Sequence, residues 1–146
     1  MLPIRALLDV NVWVALFDDA HQFSDRANSF IEAGGVRIAT CPLVENGVVR
    51  VMGLPSYSHR GTPPMQRVRE RLRDACAALD HEFWPDELSL RSDDVFDFSR
   101  VQGNNQITDM YLLALAVRHS GCLVTFDQAI ALGSVHGALP QHMLVL

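Results

Sequence analysis

The sequence contains no lysine, so all twelve basic residues are Arg. This absence removes several active-site designs at once. A Walker A loop relies on its Lys to reach the phosphates, and receiver domains and haloacid-dehalogenase-type phosphatases normally place a Lys beside their acidic site. Cysteine is scarce as well. Cys41, Cys76 and Cys122 are far apart and odd in number, which supplies neither a CxxC zinc knuckle nor a disulfide framework and predicts buried free thiols. The six histidines include no HExxH pair, so zinc hydrolysis is not indicated. No uninterrupted apolar stretch is long enough to cross a bilayer. The apolar opening from Met1 to Phe17 is interrupted by Arg5 and Asp9, with no small-residue cleavage site behind it, and reads as a strand. A soluble, cytoplasmic protein is expected. Long polar, repetitive or single-sign tracts are missing too, so order is expected nearly throughout.

What is present is enough for a full core. The 146 residues are 49% hydrophobic, the size and composition of one compact domain spanning 1–146. Short apolar runs alternate with helical patterns. Ile4–Leu8 is a candidate central strand, followed by a helix from about Val10 to Phe17 and a second, with Ala27, Phe30 and Ile31 at helical spacing, ending at Gly34-Gly35. Val36–Thr40 is the second strand; Pro42 opens a third helix that Gly53 ends. Ser56–Pro64 reads as a loop, Met65–Leu79 as an Arg-rich helix and Glu82–Pro85 as a short strand. A helix is expected from Ser92 or Asp93 to about Val101, then a polar loop, Gln102–Gln106. The strongest helix, Thr108–His119, has Thr108 as its N-cap and Gly121 as its stop. Cys122–Thr125 and His142–Leu146 complete the strands. Alternation of this kind implies right-handed crossovers and an α/β class, a three-layer α/β/α sandwich around a parallel sheet of four or five strands. Such sheets bind ligands at the carboxyl ends of their strands.

Four acids are placed to meet there. Asp9 and Asp127 each follow a strand, where an Asp commonly closes a turn or caps a helix. Glu45 and Asp109 stand in the opening turns of helices, where the macrodipole favours an acid whatever its function. Their faces argue for more. Glu45 shares a helical stripe with Val48, Val49 and Met52, and Asp109 shares one with Leu112, Leu113 and Ala116. A carboxylate facing an apolar layer must be protonated, hydrogen-bonded or bound to a cation. With no Lys to pair them, a hard divalent cation such as Mg²⁺ or Mn²⁺ is the economical partner.

The segments LLDVNVW (Leu7–Trp13), PLVENGVVRV (Pro42–Val51), ITDMYLLALA (Ile107–Ala116) and LVTFDQAI (Leu123–Ile130) resemble the four acidic motifs of the PIN domain, specifically of the VapC-like toxins of type II toxin–antitoxin systems. The resemblance runs over almost the entire chain. It implies an endoribonuclease that inhibits translation and uses one or two Mg²⁺ or Mn²⁺ ions to hydrolyse RNA phosphodiesters by in-line attack of an activated water. It implies Asp9, Asp109 and Asp127 as metal ligands. Glu45 is a further ligand, a group one layer behind, or the residue that orients the water. Asn11 and Thr108 stand as supporting residues, Asn11 either holding Asp9 or a water or serving as an ordinary first-turn residue. A VapB-like antitoxin and a homodimer are the implied protein partners.

A net charge of −5 does not oppose an RNA substrate, because most of the excess lies in the four acids themselves. Arg60, Arg67, Arg69, Arg71 and Arg73 gather beside the expected cleft and either grip RNA or antitoxin, or pair with Glu70 and Asp74 on a solvated helix. His21 reads as a cap or surface residue; Trp13, Phe17, Phe30 and Tyr111 read as core. Two rivals remain. A haloacid-dehalogenase-type phosphatase wants Asp-x-Asp where this chain has Asp9 and Asn11, and a catalytically inactive RNA-binding PIN-like protein would not need all four acids.

Overall fold

The structure is a computed structural model that describes residues 3–55 and 63–146. The loop expected over residues 56–64, and Arg60 with it, lies outside the described residues apart from Pro63 and Pro64. Five strands, β1 (Ala6–Leu8), β2 (Arg37–Thr40), β3 (Asp80–Phe83), β4 (Cys122–Thr125) and β5 (Met143–Val145), form one sheet in the order β3-β2-β1-β4-β5, with every pairing parallel. β1 is central and apolar on both faces, and Ala6, Leu7 and Leu8 are all buried, as a strand covered from two sides requires. Leu7 stands opposite Ala39 on one side and Leu123 on the other.

Among the described residues five helices flank the sheet: α1 (Val10–Phe17), α2 (Ser24–Glu32), α3 (Pro42–Met52), α4 (Met65–Ala78) and α5 (Ile107–Arg118). α1 packs on α2 and α3, α3 packs on α4, and α5 covers β1 and β4. Trp13 and the α5 run Leu112–Ala116 fill the core. Gly34 and Gly35, at φ +85° and +69°, follow α2 in the left-handed region expected of them. Pro42 occupies the first turn of α3 and Gly53 caps its end. His21 is half-buried ahead of α2 and is not its N-cap, which is Phe23; its Nδ1 accepts from the Phe23 amide 3.0 Å away. Among the described residues no helix is long and apolar enough to cross a membrane, and the three cysteines are free, their thiols pushed up to about 11 by burial.

Three expectations are corrected. Ser92–Val101 is not a helix: Val95 and Asp97 exchange backbone hydrogen bonds with His136 and Ser134, and Phe96 bridges Val135 from a buried position, leaving only a 3-10 turn over Phe98–Arg100. Thr108 is not an N-cap, because a 3-10 turn over Asn104–Gln106 runs into α5 and puts Thr108 inside its first turn. Gly121 does not stop α5 by its conformation. Ser120 takes the left-handed position at φ 53°, while Gly121 is needed for contact: a Cβ there would lie 2.8 Å from the Arg5 carbonyl and 2.7 Å from Trp84.

Candidate active site

The strand order reverses at the β1–β4 seam, since β1 continues outward to β2 and β3 while β4 lies on its other side with β5 beyond. A crevice opens outside the carboxyl ends of the strands at such a reversal. Asp9 follows β1 and Asp127 lies just past β4, so both border it. α5 brings Asp109 in from above, one turn before Leu112. Asp9, Asp109 and Asp127 thus line one cleft of about 390 Å³, together with Asn11, Asn46, Arg50, Asn105 and Thr108. The apolar stripe that aims Asp109 is the one read from the sequence: Leu112, Leu113 and Ala116 are buried beneath it. Gly47 keeps the cleft wall close, because a Cβ at that position would come within 2.6 Å of Val10 on α1.

Asp9 is the N-cap of α1, its Oδ1 accepting from the Val12 amide at 3.1 Å. Its other oxygen accepts from the Thr125 hydroxyl at 2.5 Å. The same hydroxyl oxygen accepts from the Asp127 amide at 3.1 Å, so one fully buried Thr, at the end of β4, fixes two of the acids. Asp127 is exposed and its Oδ1 accepts from the Ala129 amide at 2.7 Å. Burial pushes the Asp9 carboxyl up despite these bonds. Asp109 is pushed up to about 7, by burial first and then by the charges of Asp9 and Asp127 and the hydrogen-bond contact with Asp127. No salt bridge among the described residues involves any of the three.

A site of oxygen donors, crowded enough to lift one carboxyl to about 7, has the donor chemistry that suits a hard divalent cation. The fit is one of donor type and convergence. Among the described residues no three acid, Cys or His side chains already stand as a ready cage, for Asp9 and Asp127 are each turned onto backbone amides or Thr125.

Glu45 does not line this cleft. It is half-buried at the carboxyl end of β2, where its Oε2 accepts from the Thr40 hydroxyl at 2.7 Å, with the His81 Nε2 2.7 Å from the same hydroxyl oxygen. The face of α3 that borders the cleft carries Leu43, Asn46, Gly47 and Arg50 instead. The sequence reading missed Asn46, Arg50, Asn105 and Thr125. The i, i+4 spacing of Asn46 and Arg50 is the signal that marks a shared face, and Thr125 is a polar residue closing an otherwise apolar strand. Arg67, Arg69, Arg71 and Arg73 do not line the cleft either. Arg71 donates to the Phe17 carbonyl at 2.7 Å and covers the Phe17 ring, and Arg73 pairs with Asp74 at 3.2 Å.

Comparison with known proteins gives the same picture. Ribonuclease VapC44 of Mycobacterium tuberculosis is 43% identical over 144 residues, covering 98% of this chain and 100% of the relative. Ribonuclease VapC39 of the same organism is 36% identical over 129 residues, 88% of this chain and 92% of the relative. Among solved structures, a chain from the crystal structure of VapBC2 from Rickettsia felis bound to a DNA fragment from their promoter superimposes with a TM-score of 0.51 at 18% identity, over 86% of this chain and 90% of that one, which shows the fold. The sequence profile of the PIN domain matches residues 6–132. The chain belongs to the PIN domain family, together with the VapC ribonucleases that match it over nearly their whole length.

Proposed function

We propose that residues 1–146 act as a single PIN nuclease domain, a divalent-metal-dependent endoribonuclease that is the toxin of a toxin–antitoxin pair and inhibits translation. The observation that carries this reading is the convergence of Asp9, Asp109 and Asp127 on one cleft with no cation among the described residues paired to them. These three would hold Mg²⁺ or Mn²⁺, one ion or two. When bound there, the ion polarises the phosphodiester and makes water a stronger nucleophile at neutral pH.

The chain's own residues supply position and charge. Thr125 holds Asp9 and the Asp127 backbone in register with the sheet, which fixes the donor set to a rigid element. Asn11, Asn46 and Asn105 line the cleft with amide groups that can both donate and accept, suited to ribose hydroxyls and phosphate oxygens. Arg50 puts a guanidinium on the same wall with no ion pair among the described residues, and its planar fork can take two oxygens of a phosphate. Glu45 acts through Thr40 and not as a direct ligand, stiffening the carboxyl end of β2. The relatives named VapC and the VapBC2 neighbour support a VapB-like antitoxin as partner; self-association as a homodimer is part of the same proposal.

The test is incubation of purified protein with total RNA and Mg²⁺, followed by sequencing of the new 5′ ends. Discrete cut sites that disappear with a chelator are expected; metal-independent cutting or intact RNA would overturn the reading.

A further inference from the structure

A second recess, of about 350 Å³, opens beside the catalytic cleft. We propose that it receives an unstacked guanine base of the RNA adjacent to the cut, with the Asp86 carboxylate reading its edge. This rests on the ribonuclease reading above and names what sets its base preference.

The first argument is continuity. Leu43 and Thr108 line both the recess and the cleft, so the two share a wall, and a nucleotide whose phosphate lies along Arg50 and Asp109 has its base on the recess side or in solvent. The second is contrast of surface. The cleft is bordered by acids and amides, whereas the recess is walled by Leu43, Leu88, Leu90, Ile107 and the Tyr111 ring. Apolar and aromatic walls take the faces of unstacked bases and offer nothing to a phosphate. Its volume is at the small end of the ~300–1,000 Å³ usual for small-ligand pockets, scaled to one nucleoside and not to a peptide segment.

The third argument is the polar group. Asp86 is exposed at the recess, lies close to the Leu43 amide and the Cys41 thiol at the start of α3, and forms no salt bridge among the described residues. A carboxylate has about four acceptor sites, so at least two are open to a ligand even with Leu43 and Cys41 beside it. An acceptor-only, anionic group rejects phosphate and accepts only from N–H or O–H. Guanine presents two adjacent donors, N1–H and the N2 amino group. Adenine and cytosine present one amino group next to a bare ring nitrogen, and uracil one N–H between two carbonyl oxygens that a carboxylate repels. A purely structural role for Asp86 beside the start of α3 would account for its closeness to Leu43 and Cys41 but predicts no base preference.

The experiment cleaves a library of single-stranded RNA with randomised sequence in Mg²⁺ and compares base frequencies around each cut for the wild type, Asp86→Asn and Leu90→Ala, after circular dichroism confirms each fold. Wild type is expected to favour guanine at one position next to the cut, and Asp86→Asn to lower the guanine-to-uracil ratio there about tenfold, the scale of one lost bidentate base contact. If Asp86→Asn does not fold, Leu90→Ala carries the test, being an exposed position outside every helix and strand; a lowered ratio is again expected. Guanine preference unchanged in the folded variants, or lowered cleavage with the same base profile, overturns the proposal and leaves the recess to an apolar side chain of a protein partner. A wild type that cuts with no base preference overturns the recess alone. A wild type that cuts no RNA at all overturns the ribonuclease reading and the recess with it.

Discussion

The two ends of the same sheet treat their carboxylates in opposite ways. At the amino ends of the strands, Asp80 meets Arg5 at 3.0 Å and Arg37 at 3.4 Å, and Glu82 meets Arg5 at 3.4 Å. The Arg5 guanidinium, which also donates to the Ile38 carbonyl, holds the Asp80 carboxyl below its ordinary range. At the carboxyl ends, Asp9, Asp109 and Asp127 share one cleft with no arginine among the described residues paired to any of them, and Asp109 rises to about 7. A fold that spends arginines on tying β1, β2 and β3 together leaves the opposite end uncompensated. Acids arranged so that they cannot all ionise mark a site prepared for a charge from outside the chain.

The largest effect that can break this comparison is at Asp109. Asp109→Asn keeps shape and hydrogen-bonding size while removing one donor oxygen and the charge. We expect the variant to fold and to lose RNA cleavage about a hundredfold or more, since a metal's contribution of several kcal/mol corresponds to at least that factor. Folded Asp109→Asn with wild-type cleavage would falsify the three-aspartate centre. The matching change at the other end, Asp80→Asn, touches an exposed ion pair and should leave cleavage unaltered. Next in size is Thr125→Val, nearly isosteric, which removes the hydroxyl shared by Asp9 and the Asp127 amide. Such outer partners of a metal site are worth roughly 10–100-fold in affinity or activity. The check is a metal titration of the cleavage rate: the loss should be partly rescued by higher Mg²⁺, which a purely structural defect would not show.

Much of this contrast was legible in the sequence, and the exceptions share a cause. Asp9 and Asp127 were readable because a short apolar strand ending in an acid fixes both the layer and the edge. Asp109 was readable because Leu112, Leu113 and Ala116 define a face by periodicity alone. Glu45 was not, because α3 is covered on more than one side: Val44 and Val48 are buried and Val49 partly so, and a helix with apolar residues around most of its circumference does not say which flank meets the cleft. The structure gives that flank to Asn46 and Arg50. The helix expected over Ser92–Val101 failed for a related reason, since a non-local pairing of Val95 and Asp97 with the chain near Val135 overrides a local pattern. The Met65–Ala78 helix was found within one residue of its end, but which way its arginines face depends on the docking of Arg71 onto Phe17.

That difference between α3 and α4 yields a smaller effect. If RNA lies in the cleft, Arg50→Gln should weaken binding about tenfold and reduce the salt slope by about one, the signature of one phosphate contact. Arg67, Arg69 and Arg73 changed together to Gln should do less than Arg50 alone, as none of them lines the cleft. The measurement is RNA affinity at several salt concentrations with the inactive Asp109→Asn background. A larger loss from the α4 variant would move the RNA path onto that helix.

The smallest expected effect is the pH dependence of stability, and it separates the two ends because they respond in different windows. Asp80 has a lowered folded-state pKa, so its contribution is fully present above the ordinary carboxylate value and fades only as pH falls below it. Asp109 does the reverse. Between its ordinary value of 3.8 and its folded value of about 7, the native state keeps a proton that the unfolded chain has released, so stability falls as pH rises through that interval and is flat above it. Asp9, raised in the same direction, adds to the slope. In chelator, the melting temperature should therefore decline from pH 4 to pH 7, and Asp109→Asn should flatten the decline. Saturating Mg²⁺ or Mn²⁺ at pH 7 should restore what the repulsion removes, since an ion that binds only the native state stabilises by about 2.7 kcal/mol at a hundredfold excess over its Kd. For a domain of this size that is a rise of several degrees. Melting curves in chelator that are level from pH 4 to pH 7, and unmoved by millimolar metal at pH 7, would mean that the carboxyl end is balanced by contacts as the amino end is, and the contrast between them would be lost.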